Sequence, residues 1–206
     1  MRKLIVSNIM SLDGYYTGPG GNVMVMPMDQ AFDDYNAERL RAADTLLLGR
    51  TTYDGFRSFW PSAADDPAFA PARIGDRRAA TIQEISRRNN AIEKVVVSDS
   101  LTPAQTEPWQ NTTRIIRRAD AHEQIATLKR ETGKDILVFG SRTLWNDLLA
   151  HDLVDELHLM IGQAVLGAGT PVFGGQPGVS LRLLGTRTWD GSENVLVRYE
   201  VRHQTA

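Results

Sequence analysis

The chain has 206 residues, of which 42% are hydrophobic and 23% are charged, and its formal net charge is −2. These values are typical of a soluble globular protein with one large core, and the charge gives no reason to expect a nucleic-acid or membrane partner. The sequence contains no cysteine, which excludes disulfides, thiolate zinc sites and thiol nucleophiles.

The first predicted element is a strand over residues 3–10. Ser7 and Asn8 interrupt its apolar run, whereas a signal peptide needs about 7–15 apolar residues and a cleavage site of small residues. No stretch approaches the roughly 20 apolar residues of a membrane span. We therefore expect a cytoplasmic protein.

Helices and short apolar strands alternate through the next part of the chain. Residues 59–75, which include Pro61, Pro67 and Pro71, are predicted to form a loop. Strands that are wholly apolar and separated by helices are typical of a parallel sheet covered on both faces. The predicted helices cover residues 29–43, 51–56, 77–90, 122–131 and a last segment that ends near residue 150, and the predicted strands cover residues 45–48, 95–97, 114–117 and 136–139.

Beyond Asp155 the hydrophobic pattern changes to a period of two. Segments 156–161, 181–188 and 194–202 alternate apolar and polar side chains, as antiparallel strands with one solvated face do. The sequence therefore predicts an α/β fold with a mixed, mostly parallel sheet and antiparallel C-terminal strands. Because no repeat, low-complexity tract or linker divides the chain, we expect a single domain over residues 1–206.

The histidines and tryptophans give no sign of a metal site or of a substrate platform. Since the histidines lie far apart in the sequence and lack ligand spacing, no metal site is predicted. The tryptophans are interpreted as packing residues. The residues concerned are His122, His151, His158 and His203, and Trp60, Trp109, Trp145 and Trp189.

Two strand-to-helix turns share one pattern of residues. LLLGRTTY runs through Gly49 and Arg50 into a helix, and LVFGSRTLW runs through Gly140 and Ser141 into another. A helix N-terminus exposes unpaired N–H groups, glycine lets a ligand approach the backbone, and arginine suits phosphate. In one parallel sheet both turns would open on the same edge, which suits a dinucleotide. The alternative is that both turns are structural and bind no ligand.

Five motifs, in this order, resemble those of dihydrofolate reductase-like proteins: SLDGYYTG, LLLGRTTYDGF, KVVVSDSL, DILVFGSRTLWNDLL and DELHLMIGQAVLGAGTPVF. The resemblance covers nearly the whole chain and is closer to the branch related to the C-terminal reductase domain of bifunctional riboflavin biosynthesis enzymes. It implies a three-layer sandwich around an eight-stranded mixed sheet. It also implies a reductase that uses NADPH, a small-molecule substrate and a homodimer.

The same resemblance implies roles for individual residues. Ser98 would lie near the adenine ribose, and a loop with Asp13 and Gly18 would close over the nicotinamide, with Asp13 beside the substrate. In folate-reducing members a cis Gly-Gly peptide bond stands at positions 140 and 141, and the sequence leaves the isomer open here. The cofactor phosphates would be bound by Gly49, Arg50, Thr51 and Thr52 on the adenosine side, and by Gly140, Ser141, Arg142, Thr143 and Leu144 at the pyrophosphate.

Two positions bear on the choice of cofactor and substrate. Asp99 stands where riboflavin-related members often carry arginine, and its charge would repel a 2′-phosphate. Arg50, Arg117 and Arg118 are the candidates that compensate for it, so NADPH is favoured over NADH. Asp33 lies where folate reducers carry an acid in the first helix. It is therefore the candidate for substrate binding and catalysis, and a solvated helix acid is the alternative.

The segment VMVMPMDQAF replaces the Pro-Trp segment of folate reducers, which argues against dihydrofolate as the substrate. Its methionines, Met24, Met26 and Met28, either line a pocket or fill the core. The sequence thus predicts an NADPH-dependent reductase of a small heterocyclic or carbonyl substrate, pyrimidine reductase-like or pterin-like. A non-catalytic nucleotide-binding module with the same fold is the alternative.

Overall fold

The computed structural model describes residues 1–175 and 178–202, and His203 lies outside them. The strands of the described residues are, in chain order, β1 (Leu4–Met10), β2 (Tyr15–Thr17), β3 (Ala43–Gly49), β4 (Glu93–Val97), β5 (Thr113–Ile116), β6 (Asp135–Phe139), β7 (Glu156–Ile161), β8 (Thr170–Pro171), β9 (Ser180–Arg187) and β10 (Val195–Arg202). Every strand predicted from hydrophobic pattern is therefore present.

The α-helices are, in chain order, α1 (Gln30–Ala42), α2 (Arg50–Ala63), α3 (Pro71–Ile74), α4 (Asp76–Ala91), α5 (Ala121–Arg130) and α6 (Arg142–Ala150). Within the described part of the chain, none of these helices is both long enough and apolar enough to cross a membrane.

The prediction of a loop over residues 59–75 is wrong. α2 continues through Pro61, and a 3-10 turn and α3 follow it. The carbonyl of Trp60 accepts a hydrogen bond from the hydroxyl of Ser86 on α4 at 2.7 Å, and the ring centroids of Phe59 and Trp60 lie 4.8 Å apart. Packing of the end of α2 against α4 thus outweighs the single backbone hydrogen bond that proline removes.

Eight strands form one sheet in the order β5-β4-β3-β6-β1-β7-β10-β9. The strands β1 and β3 to β7 run parallel, and β10 pairs antiparallel with both β7 and β9. This confirms the mixed, mostly parallel eight-stranded sheet with antiparallel C-terminal strands. Because β6 lies between β3 and β1, the two glycine turns follow neighbouring strands.

Apolar side chains cover both faces of this sheet. One core cluster includes Trp145 of α6 and Ile125 of α5. The other includes Leu40 of α1, Tyr53 of α2 and Ile85 of α4. The sheet therefore lies between two helical layers, which is the predicted three-layer sandwich.

A second, two-stranded sheet was not predicted. β2 pairs antiparallel with β8, with Tyr15 opposite Pro171 and Thr17 opposite Thr170. It joins the loop after β1 to the loop after β7, so both loops are held at the carboxyl ends of the parallel strands.

Candidate functional site

The candidate residues line one edge of the main sheet. Arg117 follows β5, Ser98 follows β4, Gly49 ends β3, Gly140 follows β6, and Asp13 lies in the loop after β1. Since these strands are parallel neighbours in that order, their carboxyl ends lie side by side. Open α/β sheets bind ligands at this edge.

The two glycine turns are hydrogen-bonded to each other. The amide of Gly49 donates to the hydroxyl of Ser141 at 3.0 Å, and the amide of Ser141 donates to the hydroxyl of Thr52 at 2.8 Å. The hydroxyls that could have capped a helix or bound a phosphate are thus engaged between the turns. This reciprocal pair fixes the relative position of the helix starts.

Gly140 is required by the approach of α2. Its φ is +55°, and a Cβ there would lie 2.9 Å from Cγ2 of Thr52 and 3.1 Å from the hydroxyl oxygen of Tyr16. Ser141 also has left-handed backbone angles (φ 49°, ψ 38°). Among the described residues the cis peptide bond is Glu107–Pro108, so the Gly140–Ser141 bond is trans.

Both turns present open helix N-termini. Within the described residues no side chain caps the first turn of α2 or of α6, whereas the first turn of α1 is capped by Asp29, which accepts from the amide of Phe32 at 3.0 Å. Thr51 and Thr143, in the first turns of α2 and α6, are exposed. The unpaired N–H groups of two adjacent helices therefore face the same edge, which suits an anion.

Arg50 is held in place at the start of α2. Its Nε lies 2.5 Å from Oδ2 of Asp54, one turn along the helix. Its Nη1 donates to Oε1 of Gln105 at 3.4 Å. These contacts orient the guanidinium and leave its other N–H groups for a ligand.

The turn after β4 is organised around Ser98 and Asp99. The buried Ser98 hydroxyl accepts from the amides of Ser100 and Leu101 at 3.2 and 3.0 Å. Arg117 donates to the carbonyls of Ser98 and Asp99 at 3.1 and 2.6 Å. The structure thus brings two of the candidate residues, Ser98 and Arg117, into contact at the end of β4.

Asp99 has a cationic partner of its own. Its Oδ1 accepts from the amide of Arg118 at 3.0 Å, and its Oδ2 lies 3.6 Å from Nε of the same residue. The negative charge that would repel a 2′-phosphate is therefore partly compensated.

Asp13 ties two loops together. Its carboxylate accepts from the hydroxyl of Ser11 at 2.6 Å and from the amides of Leu166 and Gly167, the latter at 2.7 Å. The hydrogen bond from Ser11, followed by that from Gly167, lowers the pKa of Asp13 to about 2. Gly18, the other candidate in this loop, donates from its amide to the carbonyl of Asn22 at 3.0 Å.

Arg142 and Asn146 of α6 hold the loop after β8. The guanidinium of Arg142 donates to the carbonyls of Pro171 and Phe173, at 3.0 Å for the latter. Asn146 donates to the carbonyl of Val172 at 3.1 Å. Arg142 thus contacts protein backbone. Leu144, also in the first turn of α6, is partly buried against the core.

Asp33 is buried in an ion pair. Its Oδ2 lies 2.7 Å from Nε of Arg78 on α4. Burial raises the pKa of Asp33 to about 6, although the positive charge of Arg78 acts in the opposite direction. The Asp33 carboxyl is therefore buried, unlike the solvated helix acid of the alternative interpretation, and its contact with Arg78 is not an ordinary surface salt bridge.

A third apolar cluster lies where β1 ends and α1 begins. It includes Ile9, Met26 and Tyr35, with Met28 and Trp189 packed against it, whereas Met24 is exposed. Of the three methionines, two thus fill this cluster. A surface groove of about 390 Å³ adjoins it, lined by Asp29, Gln30, Ala31, Asp34, Arg77 and the segment Trp189 to Ser192.

Sequence reasoning missed two residues next to the turn after β6. Asn8 of β1 is buried, and its side-chain amide donates to the carbonyl of Gly140 at 3.3 Å. Tyr16 of β2 places its hydroxyl against the same glycine. Asn8 interrupts an apolar strand, which was the available signal, whereas no local pattern marks Tyr16.

Two histidines that lie far apart in the sequence meet in the fold. The rings of His122 and His151 are stacked with centroids 3.9 Å apart, and Asp147 of α6 lies beside both of them. His158, by contrast, is buried elsewhere, with its Nδ1 2.7 Å from the hydroxyl of Tyr35.

A family model described as the RibD C-terminal domain matches residues 2–197. The uncharacterized protein YyaP of Bacillus subtilis (strain 168) is 28% identical over 191 residues, which cover 91% of this chain and 89% of the relative.

Two solved structures share the fold. A protein assigned to riboflavin biosynthesis in Shewanella sp. PV-4 is 20% identical, with a TM-score of 0.65 and coverage of 98% of this chain and 99% of the other. Dihydrofolate reductase from Enterococcus faecalis, complexed with NADP(H), is 14% identical, with a TM-score of 0.59 and coverage of 98% and 97%. The dihydrofolate reductase-like fold predicted from the five motifs is thereby confirmed.

Proposed function

The chain belongs to the RibD C-terminal domain family, and on that premise we propose that it is an NADPH-dependent reductase of a small heterocyclic or carbonyl substrate. One observation carries this proposal. Two adjacent helix N-termini, at Gly49 and at Ser141, lack side-chain caps and are held together by hydrogen bonds between their turns. A pyrophosphate with its flanking phosphate esters matches two such anion sites on one sheet edge.

The residues present fit this cofactor. A Cβ at Gly49 would approach nothing closer than 3.9 Å, so the space above this turn is open to a ligand. The first residues of α2, Arg50, Thr51 and Thr52, would lie on the adenosine side of the cofactor. Thr143 and Leu144, at the start of α6, would lie at its pyrophosphate. When bound, NADPH would supply a hydride, and the protein would supply orientation and exclusion of water.

NADPH is favoured over NADH by the arrangement after β4 and β5. Arg117 is oriented by two backbone carbonyls, and Arg118 pairs with Asp99. Both cations follow β5, the strand next to β4, and Ser98 follows β4. A 2′-phosphate near Ser98 would meet this positive charge, whereas NADH would gain nothing from it.

Asp33 is proposed to bind the substrate and to supply its proton. A carboxyl whose pKa is about 6 is still protonated in about a tenth of the molecules at pH 7, and the protonated form is the one that general acid catalysis requires. Arg78 would fix the orientation of the group through the 2.7 Å contact.

The third cluster and the adjoining groove support a planar, partly apolar substrate. Met26 and Met28 are adaptable apolar side chains, and Trp189 contacts both the cluster and the groove. Among the described residues the indole N–H of Trp189 is buried and has no hydrogen-bond partner. Because this N–H is enclosed by protein atoms, Trp189 would contact a pyrimidine-like or pterin-like heterocycle through its ring.

The proposal is tested by titrating the protein with NADPH and NADH while following tryptophan fluorescence, and then by measuring NADPH oxidation with a panel of heterocycles and carbonyl compounds. We expect tighter binding of NADPH and turnover with at least one substrate class. Binding without turnover across the panel would favour the non-catalytic module, and absence of binding would contradict both.

We also expect a homodimer, as the resemblance implies. Leu181 and Leu183 on the outer strand β9 are exposed apolar side chains, with 37% and 53% of their surface accessible. Light scattering during size-exclusion chromatography should give twice the mass of the chain, and a mass of one chain would contradict the expectation.

A further inference from the structure

A cluster of potential metal ligands lies on the helical layer formed by α5 and α6, away from the glycine turns. It consists of His122 near the start of α5, Asp147 on α6 and His151 at the end of α6. One ligand atom from each of the three lies within 4.8 Å of the other two. The side chains are 43%, 48% and 51% exposed, so an ion can reach them.

The hydrogen bonds within the cluster orient the ligand atoms. Nδ1 of His151 lies 2.8 Å from the carbonyl oxygen of Asp147. Because a carbonyl can only accept, Nδ1 carries the proton in this contact, and Nε2 is the ring atom that can offer a lone pair to an ion. A histidine that donates its second ring nitrogen to a backbone carbonyl is the arrangement that orients metal-bound imidazoles.

His122 and Asp147 form the second part of the cluster. Nε2 of His122 lies 2.6 Å from Oδ2 of Asp147. Two ligands of one zinc ion are separated by about 3.3 Å when each bond is about 2.0–2.1 Å long and tetrahedral. An ion would therefore replace the proton between these two atoms after a small separation of exposed side chains, and the neutral ring would carry its proton on Nδ1 instead.

The C-terminal end of α6 favours a cation at this position. Asp147 and His151 lie in and just after the last turn of α6, where the unpaired carbonyls give partial negative charge. The Asp147 carboxylate adds a full negative charge. The two rings are stacked with centroids 3.9 Å apart, so the histidines of the two helices are already in contact.

We propose that His122, Asp147 and His151 bind one divalent transition-metal ion, with Zn²⁺ the ion that best suits two imidazoles and one carboxylate. Water completes the coordination. The ion cross-links α5 to α6, the two helices that cover one face of the sheet. The site is independent of the proposed reductase activity.

Calorimetric titration of the full-length protein with ZnCl₂ tests the proposal. We expect one ion per chain and a rise in Tm that EDTA reverses, since an ion that binds only the folded state stabilises it. His122→Gln and His151→Gln should each weaken binding at least tenfold. Glu123→Gln removes an exposed charge next to His122 without removing a ligand and should bind Zn²⁺ as the unmodified protein does.

A second measurement does not depend on the variants. Nitrogen NMR of the imidazole rings should show that His122 and His151 shift on addition of one equivalent of Zn²⁺, while buried His158 does not. No heat of binding, equal affinity in all the variants, or ring shifts confined to other histidines would each overturn the assignment.

Discussion

The hydroxyl oxygen of Ser141 lies 3.0 Å from the amide nitrogen of Gly49 and accepts its hydrogen bond. The two residues are distant in the chain, yet each stands at the N-cap of a helix that begins at the same sheet edge. The hydroxyl therefore joins two helix ends instead of capping one of them. Loss of this contact would separate the two halves of the proposed phosphate site.

Alanine at the two glycines separates ligand binding from folding. Gly49 has φ −82° and ψ 161°, and a Cβ there would lie in ordinary contact, 3.9 Å from Leu144 and Ser141. Gly49→Ala should leave the free energy of unfolding unchanged or raise it by about 0.4–1 kcal/mol, and should weaken NADPH binding tenfold or more because the phosphate loses its approach to the backbone. Urea unfolding and fluorescence titration measure the two quantities.

Gly140→Ala is the matched comparison. Its Cβ would lie 2.9 Å from Thr52 at a φ of +55°, so we expect a loss of stability of about 1–3 kcal/mol as well as weaker binding. Equal NADPH affinity in folded Gly49→Ala protein would mean that no phosphate lies against that turn.

Arg50 is predicted to bind a cofactor phosphate. Arg50→Ala removes a charge-assisted contact worth about 1.5–3 kcal/mol, so the Kd for NADPH should rise about tenfold or more with little change in stability. Arg57 on the same helix is the control, because it also contacts Asp54, at 3.8 Å, but lies about two turns further from the start of the helix. If Arg57→Ala weakens NADPH binding as much as Arg50→Ala does, the effect comes from the loss of any positive charge on α2, and the assignment of Arg50 to a phosphate fails.

The cations after β5 should distinguish the two nicotinamide cofactors. Replacing both Arg117 and Arg118 by alanine should weaken the binding of NADPH much more than the binding of NADH, because only NADPH carries the 2′-phosphate. Asp99→Asn should have the opposite effect and strengthen NADPH binding, since it removes a negative charge beside Arg118. Parallel changes for both cofactors would show that these residues do not contact the 2′-phosphate.

The raised pKa of Asp33 gives a pH dependence of turnover. Burial raises this pKa to about 6, so the protonated, acidic form is lost as the pH rises through 6 and the rate should fall with it. Asp33→Asn should leave NADPH affinity intact and reduce turnover by about 10²–10⁴. Glu38→Gln, at an acid of the same helix that pairs with Arg187 and does not line the groove, should have little effect. An unchanged rate in Asp33→Asn would make Asp33 a structural partner of Arg78 only.

Buried Lys94 predicts how stability depends on pH. Burial lowers its pKa to about 7 from 10.5, although its Nζ lies 4.2 Å above the ring of Trp109. Between about pH 7 and 10.5 the unfolded chain binds more protons at this group. The free energy of unfolding should therefore rise with pH, by at most about 1.4 kcal/mol per pH unit.

Lys94→Met tests this account, because methionine fills the same space without a charge. The variant should be more stable at pH 7 and should lose this part of the pH dependence. Denaturant unfolding from pH 6 to 10 measures both. A variant that is less stable at every pH and keeps the slope would show that the ammonium group is stabilised in the folded state.

The sequence by itself determined the strands, the parallel and antiparallel parts of the sheet and the two glycine turns. Alternation of apolar and polar residues and short apolar runs are patterns among neighbouring residues of the chain. Glycine and serine at the end of a strand are local signals of the same kind. Parallel strands open on one edge whatever their order, so the common position of Gly49 and Gly140 also followed from the sequence.

Only the tertiary structure decided which distant groups meet. Placement of β6 beside β3 directs the Ser141 hydroxyl to Gly49, packing of α4 on α1 gives Asp33 its partner Arg78, and packing of α5 on α6 brings His122 to His151. Contacts with α4 also keep residues 59–63 helical despite Pro61. Such contacts join residues far apart in the chain, and their energies come from burial and from hydrogen bonds that exist only after the layers have packed, so no local pattern encodes them.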